Sequence, residues 1–197
     1  MTTRKSNRKS NKSKKIFRKT RSKRQSGGVI EGDNEKLADD VIDNNVDVVR
    51  EALEQGLNVN TRPLPSRGGA TLLMMAAAYG HEEMVLLLLE WGANVNLTST
   101  LDNMTALIFA SENNEDDKIV NILLNNGANI NAIDSHGNTA IFMASEFGHL
   151  KIVKLLLERG ATNVNAKNKY GDTALKTAIR NNHREVLKLL KEAIEIE

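Results

Sequence analysis

The stretch Thr139-Ala140-Ile141-Phe142-Met143-Ala144-Ser145-Glu146-Phe147-Gly148-His149 is one of four built on the same frame. Thr71, Thr105, Thr139 and Thr173 open these segments at steps of 34 residues, and Ala76, Ala110, Ala144 and Ala178 follow at a constant distance. A fixed period of this size predicts stacked helical units, each too small to bury its apolar side alone. The threonine supplies the side-chain oxygen that a helix N-cap needs, and an apolar residue two positions on (Leu73, Leu107, Ile141, Leu175) starts the buried face. The alanine is a strong helix former, small enough to let a neighbouring helix approach closely. Gly80-His81 and Gly148-His149 mark a stop and a turn. Asn182 replaces the glycine ahead of His183, and asparagine is the next-best residue for a left-handed backbone.

A second, leucine-rich helix follows in each unit: Met84–Leu89, Ile122–Leu124, Val153–Leu157 and Leu187–Leu190. The first three close on Gly92, Gly127 and Gly160, residues suited to the position just past a helix end. An Asn-Val-Asn or Asn-Ile-Asn then leads into a polar turn. The pattern resembles the ankyrin repeat, with its Thr-Pro-Leu-His-x-Ala opening, over roughly residues 33–197. A generic helical bundle would not place Thr, Ala, Gly and Asn in one register four times. The Pro and His of that opening are missing in all four units, so each unit should be less stable than a consensus repeat. The steps of 34 exceed the family's usual 33 through single extra residues in the finger between Asn96 and Thr105, in Asn113–Asp117 and in Gly160–Asn165. All three are turns, where insertion is tolerated.

The resemblance implies an all-α solenoid of about five helix pairs joined by short β-turn fingers. The expected divisions are a basic tail at 1–28 and a repeat domain at 29–197. Within the domain, a capping pair at 33–60 precedes repeats at about 69–101, 102–136, 137–170 and 171–197. The capping pair is read as Lys36–Asn45 and Val46–Gln55, without the threonine–alanine opening, as suits a terminal unit. Both prolines, Pro63 and Pro65, lie in its long finger. The last unit carries Arg184, Glu185, Lys188, Lys191 and Glu192, which suit a water-facing cap. Trp91, closing a second helix, reads as a partly buried packing residue.

Residues 1–28 hold twelve bases and no acid: Arg4, Lys5, Arg8, Lys9, Lys12, Lys14, Lys15, Arg18, Lys19, Arg21, Lys23 and Arg24. Residues 29–197 hold 15 bases and 25 acids, so a formal net charge of +2 hides a basic tail on an acidic body. Only Ile16 and Phe17 are bulky and apolar in the tail, which is too little to fold around, and disorder is expected. Non-specific nucleic-acid binding through counterion release is one use for such a segment. A nuclear import signal, organellar or membrane targeting, and a solubility tail are the others. Phosphorylation at Ser6, Ser10, Ser13, Thr20 or Ser22 would subtract charge. In composition the tail resembles those of proteins of large eukaryotic DNA viruses, which would place the protein in a host cell.

No apolar run nears the ~18 residues that suggest a membrane span. Residues 1–30 lack the apolar core of a secretory signal. Without cysteine, disulfides, zinc fingers and thiol nucleophiles are excluded. No phosphate loop or nucleophile elbow occurs, so no catalytic, cofactor or metal residue is assigned and no enzyme is expected. His81, His149 and His183 recur at one repeat position, which reads as structural.

In ankyrin proteins the finger tips and the end of each first helix line a concave groove. Carried onto this sequence, the partner-binding positions are Arg67, Tyr79, Leu101, Asp102, Glu112, Asn113, His136, Glu146, Phe147, Lys169, Tyr170 and Arg180. Buried aromatics and arginines at the centre of an interface are frequent hot spots. The plainer reading of Tyr79 and Phe147 is that they shield neighbouring helices. The expected function is a monomeric, intracellular adaptor in the cytoplasm or nucleus that grips a protein partner. The alternative is a nucleic-acid-associated protein whose tail does the binding. A tail of this length reaches roughly 30 Å, from 5–6 Å times the square root of residue number. It should therefore fold back weakly onto groove acids such as Asp102, Glu112 and Glu146.

Overall fold

A computed structural model describes residues 31–162 and 164–196 of the 197. The basic tail lies outside the described residues, as do the side chains of Glu31, Asp33, Arg67, Asn163 and Ile196. Ten α-helices occur among the described residues: α1 (Glu31–Ile42), α2 (Val46–Glu54), α3 (Leu72–Tyr79), α4 (Glu82–Glu90), α5 (Ala106–Asn113), α6 (Lys118–Asn125), α7 (Ala140–Phe147), α8 (Leu150–Glu158), α9 (Ala174–Arg180) and α10 (Arg184–Ile196). They form five antiparallel pairs. The odd-numbered helices stack side by side as an inner layer in chain order, and each even-numbered helix backs its own partner. The expected all-α solenoid is thus the observed architecture. The first helix begins at Glu31, five residues before the expected Lys36. No proline stands between Glu31 and Lys36 to stop a helix.

The threonines act as the sequence predicts. The hydroxyls of Thr71, Thr105, Thr139 and Thr173 accept from the backbone N–H of Met74, Ile108, Phe142 and Lys176 at 3.4, 3.3, 3.3 and 3.2 Å. Each such cap is worth about 1 kcal/mol. Asn182 has φ +60°, the left-handed form expected of it. Asn114, at the corresponding place in the unit with the longer turn, is extended, with φ −111°.

Burial follows position in the stack. Every residue of α5 is buried, and in α3 all but the terminal Tyr79, because each helix has an inner neighbour on both sides and an outer helix behind. In α9 only Ala174, Thr177 and Ala178 are buried, since nothing described lies beyond it. The alanines at the shared position, Ala76, Ala110, Ala144 and Ala178, are fully buried at the line where inner helices meet. Trp91 is 42% exposed, more open than a packing residue.

Polar side chains tie consecutive pairs. In three Asn-x-Asn turns the first amide oxygen accepts from the backbone N–H two residues on: Asn58 from Asn60, Asn94 from Asn96 and Asn129 from Asn131, at 2.9 to 3.0 Å. The second asparagine oxygen accepts from the next pair, Asn60 from the Asn94 N–H and Asn96 from the Asn129 N–H, both at 2.8 Å. Asn131 continues the ladder to the Thr162 N–H at 3.3 Å; the donor keeps its place two residues after the closing glycine, and the extra residue of that turn moves the asparagine to position 163. Arg159 spans the outer layer, donating to the side-chain oxygens of Asn121 and, at 2.9 Å, of Asn125.

Histidine links the inner layer. The Nε2 atoms of His81, His149 and His183 lie 2.8, 3.1 and 3.1 Å from the carbonyl oxygens of Ile42, Glu112 and Glu146 at the end of the preceding inner helix. A carbonyl only accepts, so Nε2 carries the proton. Gly148, with φ +79°, lets His183 lie so close that an added Cβ would stand 2.4 Å from the ring. Gly92 has a similar φ of +78° with open space around it. Gly92→Ala should cost about 1 kcal/mol for the left-handed backbone alone, and Gly148→Ala clearly more. Urea unfolding midpoints of the two variants check the order.

Candidate functional site

Three turn-centred fingers precede α5, α7 and α9. Their shape comes from local side-chain bonds. Asp134 is buried, and its carboxylate accepts from the His136 and Asn138 backbone N–H at 2.8 and 2.7 Å and from the Asn138 side-chain amide at 2.9 Å. In the next finger Asn168 does the same work, accepting from the Tyr170 and Asp172 N–H, both at 2.9 Å. Its own amide donates to the Asn138 oxygen at 2.9 Å, joining the two fingers. Backbone bonds complete the series: Thr100 N–H to Gly68 O at 2.9 Å, Ser135 N–H to Asp102 O at 2.8 Å and Lys169 N–H to His136 O at 2.8 Å. Each finger is therefore held on both its own turn and its neighbour.

The proposed groove residues fall into three groups. Leu101 and Tyr170 are 67% and 70% exposed, and Asp102, Lys169 and Arg180 also face solvent. His136 and Tyr170, from adjacent fingers, stack with ring centroids 5.9 Å apart. Tyr79, Phe147 and Glu146 are half-buried. Tyr79 stacks on His81 at 5.9 Å and Phe147 on His149 at 6.1 Å, so both rings pack on the histidines that bond the previous helix. Glu112 and Asn113 are 6% and 8% exposed, which corrects the expectation of open groove positions. The cause is stacking: His149 closes over the Glu112 carbonyl, and the Asn113 amide donates back to Phe109 O at 2.9 Å. Arg67 ends a short 3-10 turn, Pro65–Arg67.

Two exposed residues were missed. Ile133 is 54% exposed in a finger and Ile179 is 56% exposed on α9. An isoleucine in an otherwise polar turn is a signal for the first. For the second there is none, since its counterparts Ala77, Ser111 and Ser145 are buried.

Charge is uneven along this surface. Lys176 and Arg180 meet Asp172 at 2.8 and 2.6 Å, and Arg180 also donates to the Thr177 hydroxyl at 2.9 Å. Hydrogen bonds from Lys176 and Arg180 hold the Asp172 carboxyl below its ordinary range. A depressed carboxyl favours the folded state at neutral pH and loses that contribution only as pH falls through its folded value. Beside this cluster, Lys167 and Lys169 stand exposed, so the last finger is basic. Among the described residues no group of three or more His, Cys, Asp or Glu side chains is placed to hold a metal ion, and no helix is long and apolar enough to cross a membrane.

Comparison with known proteins agrees with this geometry. The profile for three copies of the ankyrin repeat matches residues 40–99 and 107–197. The mouse B-cell lymphoma 3 protein homolog is 41% identical over 86 residues, 44% of this chain and 19% of that protein. A putative ankyrin repeat protein of fowlpox virus is 37% identical over 102 residues, 51% of this chain and 29% of that one. The mouse ankyrin repeat, SAM and basic leucine zipper domain-containing protein 1 is 36% identical over 128 residues, 63% of this chain and 26% of its own length. The chain thus spans less than a third of each of these relatives. With the profile covering most of the chain and the repeat bonds recurring in register, the protein belongs to the ankyrin-repeat family.

Proposed function

We propose that the protein is a non-enzymatic interaction module that grips a protein partner along its fingers, with the basic tail localising the complex. One observation carries this reading: the ordered fingers hold Leu101, Ile133 and Tyr170 more than half exposed, on turns whose own bonds are already made. Preformed loops lose little entropy on binding, so apolar side chains displayed there contribute efficiently. Tyr170 stacked on His136 is the strongest single anchor. The flanking Lys167 and Lys169 favour a partner segment with acidic residues next to apolar ones. Tyr79 and Phe147 serve packing more than display, which moves the anchor role toward the finger tips. Viral relatives are in keeping with a host-cell setting, in cytoplasm or nucleus.

The tail supports a second reading, because twelve bases without an acid neutralise phosphates regardless of base sequence. Deleting residues 1–28 separates the two. The groove reading expects the truncated protein to keep its protein partners and lose only nucleic acid or its location. If protein partners depart with the tail, the groove is not their site.

Affinity capture with mass spectrometry tests the fingers directly. Leu101→Ala with Tyr170→Ala should weaken capture by roughly thirtyfold per anchor, the loss at the threshold of a hot spot, with no change in melting temperature. Retention of every partner by this double variant would sink the assignment. Tyr79→Ala with Phe147→Ala should instead lower the melting temperature, since half-buried rings are removed from the stack.

A further inference from the structure

Among the described residues both ends of the solenoid lack a neighbour, and the downstream end leaves Ile179 open on its inner helix, but only the upstream end also uncovers apolar positions of its outer helix. Eight residues before the closing glycine, the outer helices α4, α6 and α8 place Met84, Ile119 and Ile152, all buried. The same position in α2 is Val48, which is 44% exposed. Four before the glycine, Leu88, Leu123 and Leu156 are buried, whereas Ala52 is half-buried. Five before it, where the later helices carry Leu87, Ile122 and Leu155, α2 carries an exposed Glu51. The inner helix repeats the pattern. Ile42 offers its carbonyl to His81 as Glu112 does to His149, which puts Asp40 at the position of the buried alanines. Among the described residues nothing precedes α1, so this flank leaves Val48 and Ala52 uncovered, with Asp40 and Glu51 on the same helix pair. By contrast, the residues of α10 described as exposed at the other end are all charged, and of both signs.

We propose that residues 14–19 of the same chain, Lys-Lys-Ile-Phe-Arg-Lys, dock on this upstream face, with Ile16 and Phe17 against Val48 and Ala52 and the flanking bases against Asp40 and Glu51. Three facts select this occupant. First, Ile16 and Phe17 are the only bulky apolar residues of the segment, with two bases on each side. Second, residues 29–60 hold nine acids against two bases, so the complementary charge is concentrated in the first helix pair. Third, the segment is tethered within reach. Phe17 is 14 residues from Glu31, a root-mean-square span of roughly 20 Å, from 5–6 Å times the square root of residue number. α1 is about 18 Å long at 1.5 Å per residue, and antiparallel α2 returns to its starting end. Such a short link gives an effective concentration of order mM, enough for a weak contact to be populated. Of the groove acids expected to attract the tail, Glu112 is buried and Glu146 half-buried, which leaves Asp102 open, so the first helix pair offers the bases more acid than the groove does. Docking there also sets the two uses of the tail in competition: docked bases are withheld from phosphates.

The chain has no cysteine, so a nitroxide attached through Gln55→Cys labels one place beside this face. In the full-length protein the amides of residues 14–19 should be broadened by this label. The effect should weaken as salt rises and fall to the level of tethering alone in an Ile16→Ser/Phe17→Ser variant. A label at Lys154→Cys, on the far outer layer, should not reproduce it. Equal broadening with and without Ile16 and Phe17 would overturn the proposal. So would broadening that arises only between molecules in a mixture of labelled and isotope-enriched protein, which would assign the face to a second copy. The test uses the isolated chain, so its outcome is independent of partner binding at the fingers.

Discussion

No helix pair of this protein can bury its own apolar face, and the rest of the structure follows from that constraint. An inner helix seven to eight residues long has apolar or small residues almost all around, and becomes stable only when flanked on both sides. The buried alanines allow this close approach, since a larger side chain there would push the inner helices apart. Stability therefore resides in interfaces between units, and it is lowest where an interface is missing. This explains why α9 exposes Ile179 and Arg180 while α5 exposes nothing.

The polar bonds between units serve a second purpose. Apolar contact between two helices permits sliding, whereas directed bonds set a register. The histidine-to-carbonyl bonds fix the inner layer, the asparagine ladder fixes the turns after the outer layer, and backbone bonds fix finger to finger. Asn114 shows how the scheme tolerates change. In the unit with the longer turn and no histidine, its amide donates to Ala77 O at 2.8 Å and bridges to the preceding helix in the histidine's place. Fingers fastened in this way are rigid enough to display side chains that the core does not use, which suits the recognition proposed along them.

Charge adds direction to an otherwise periodic object. Acid gathers in the first helix pair, while the last finger exposes Lys167 and Lys169. A segment lying along the fingers therefore meets a different field at each end. The twelve bases of residues 1–28 stand next in sequence to that acidic pair.

The caps, the helix starts, the left-handed turns and the number of pairs were determined by the sequence itself. Each depends on contacts within a few residues: a threonine oxygen reaching an N–H three positions on, or an asparagine or glycine accepting a positive φ. The start of α1 was less legible, because it lacks that opening threonine. Exposure was legible only in part, at the charged face of the last helix and the finger tips. Glu112, Glu146 and Arg180 occupy one repeat position yet are buried, half-buried and open in turn. Ile179 is surface where Ser111 and Ser145 are core. A residue's local helix is written in its neighbours in sequence, but its share of solvent is set by the next unit in the stack. Only the tertiary structure decides which copies of a repeated position can touch a partner.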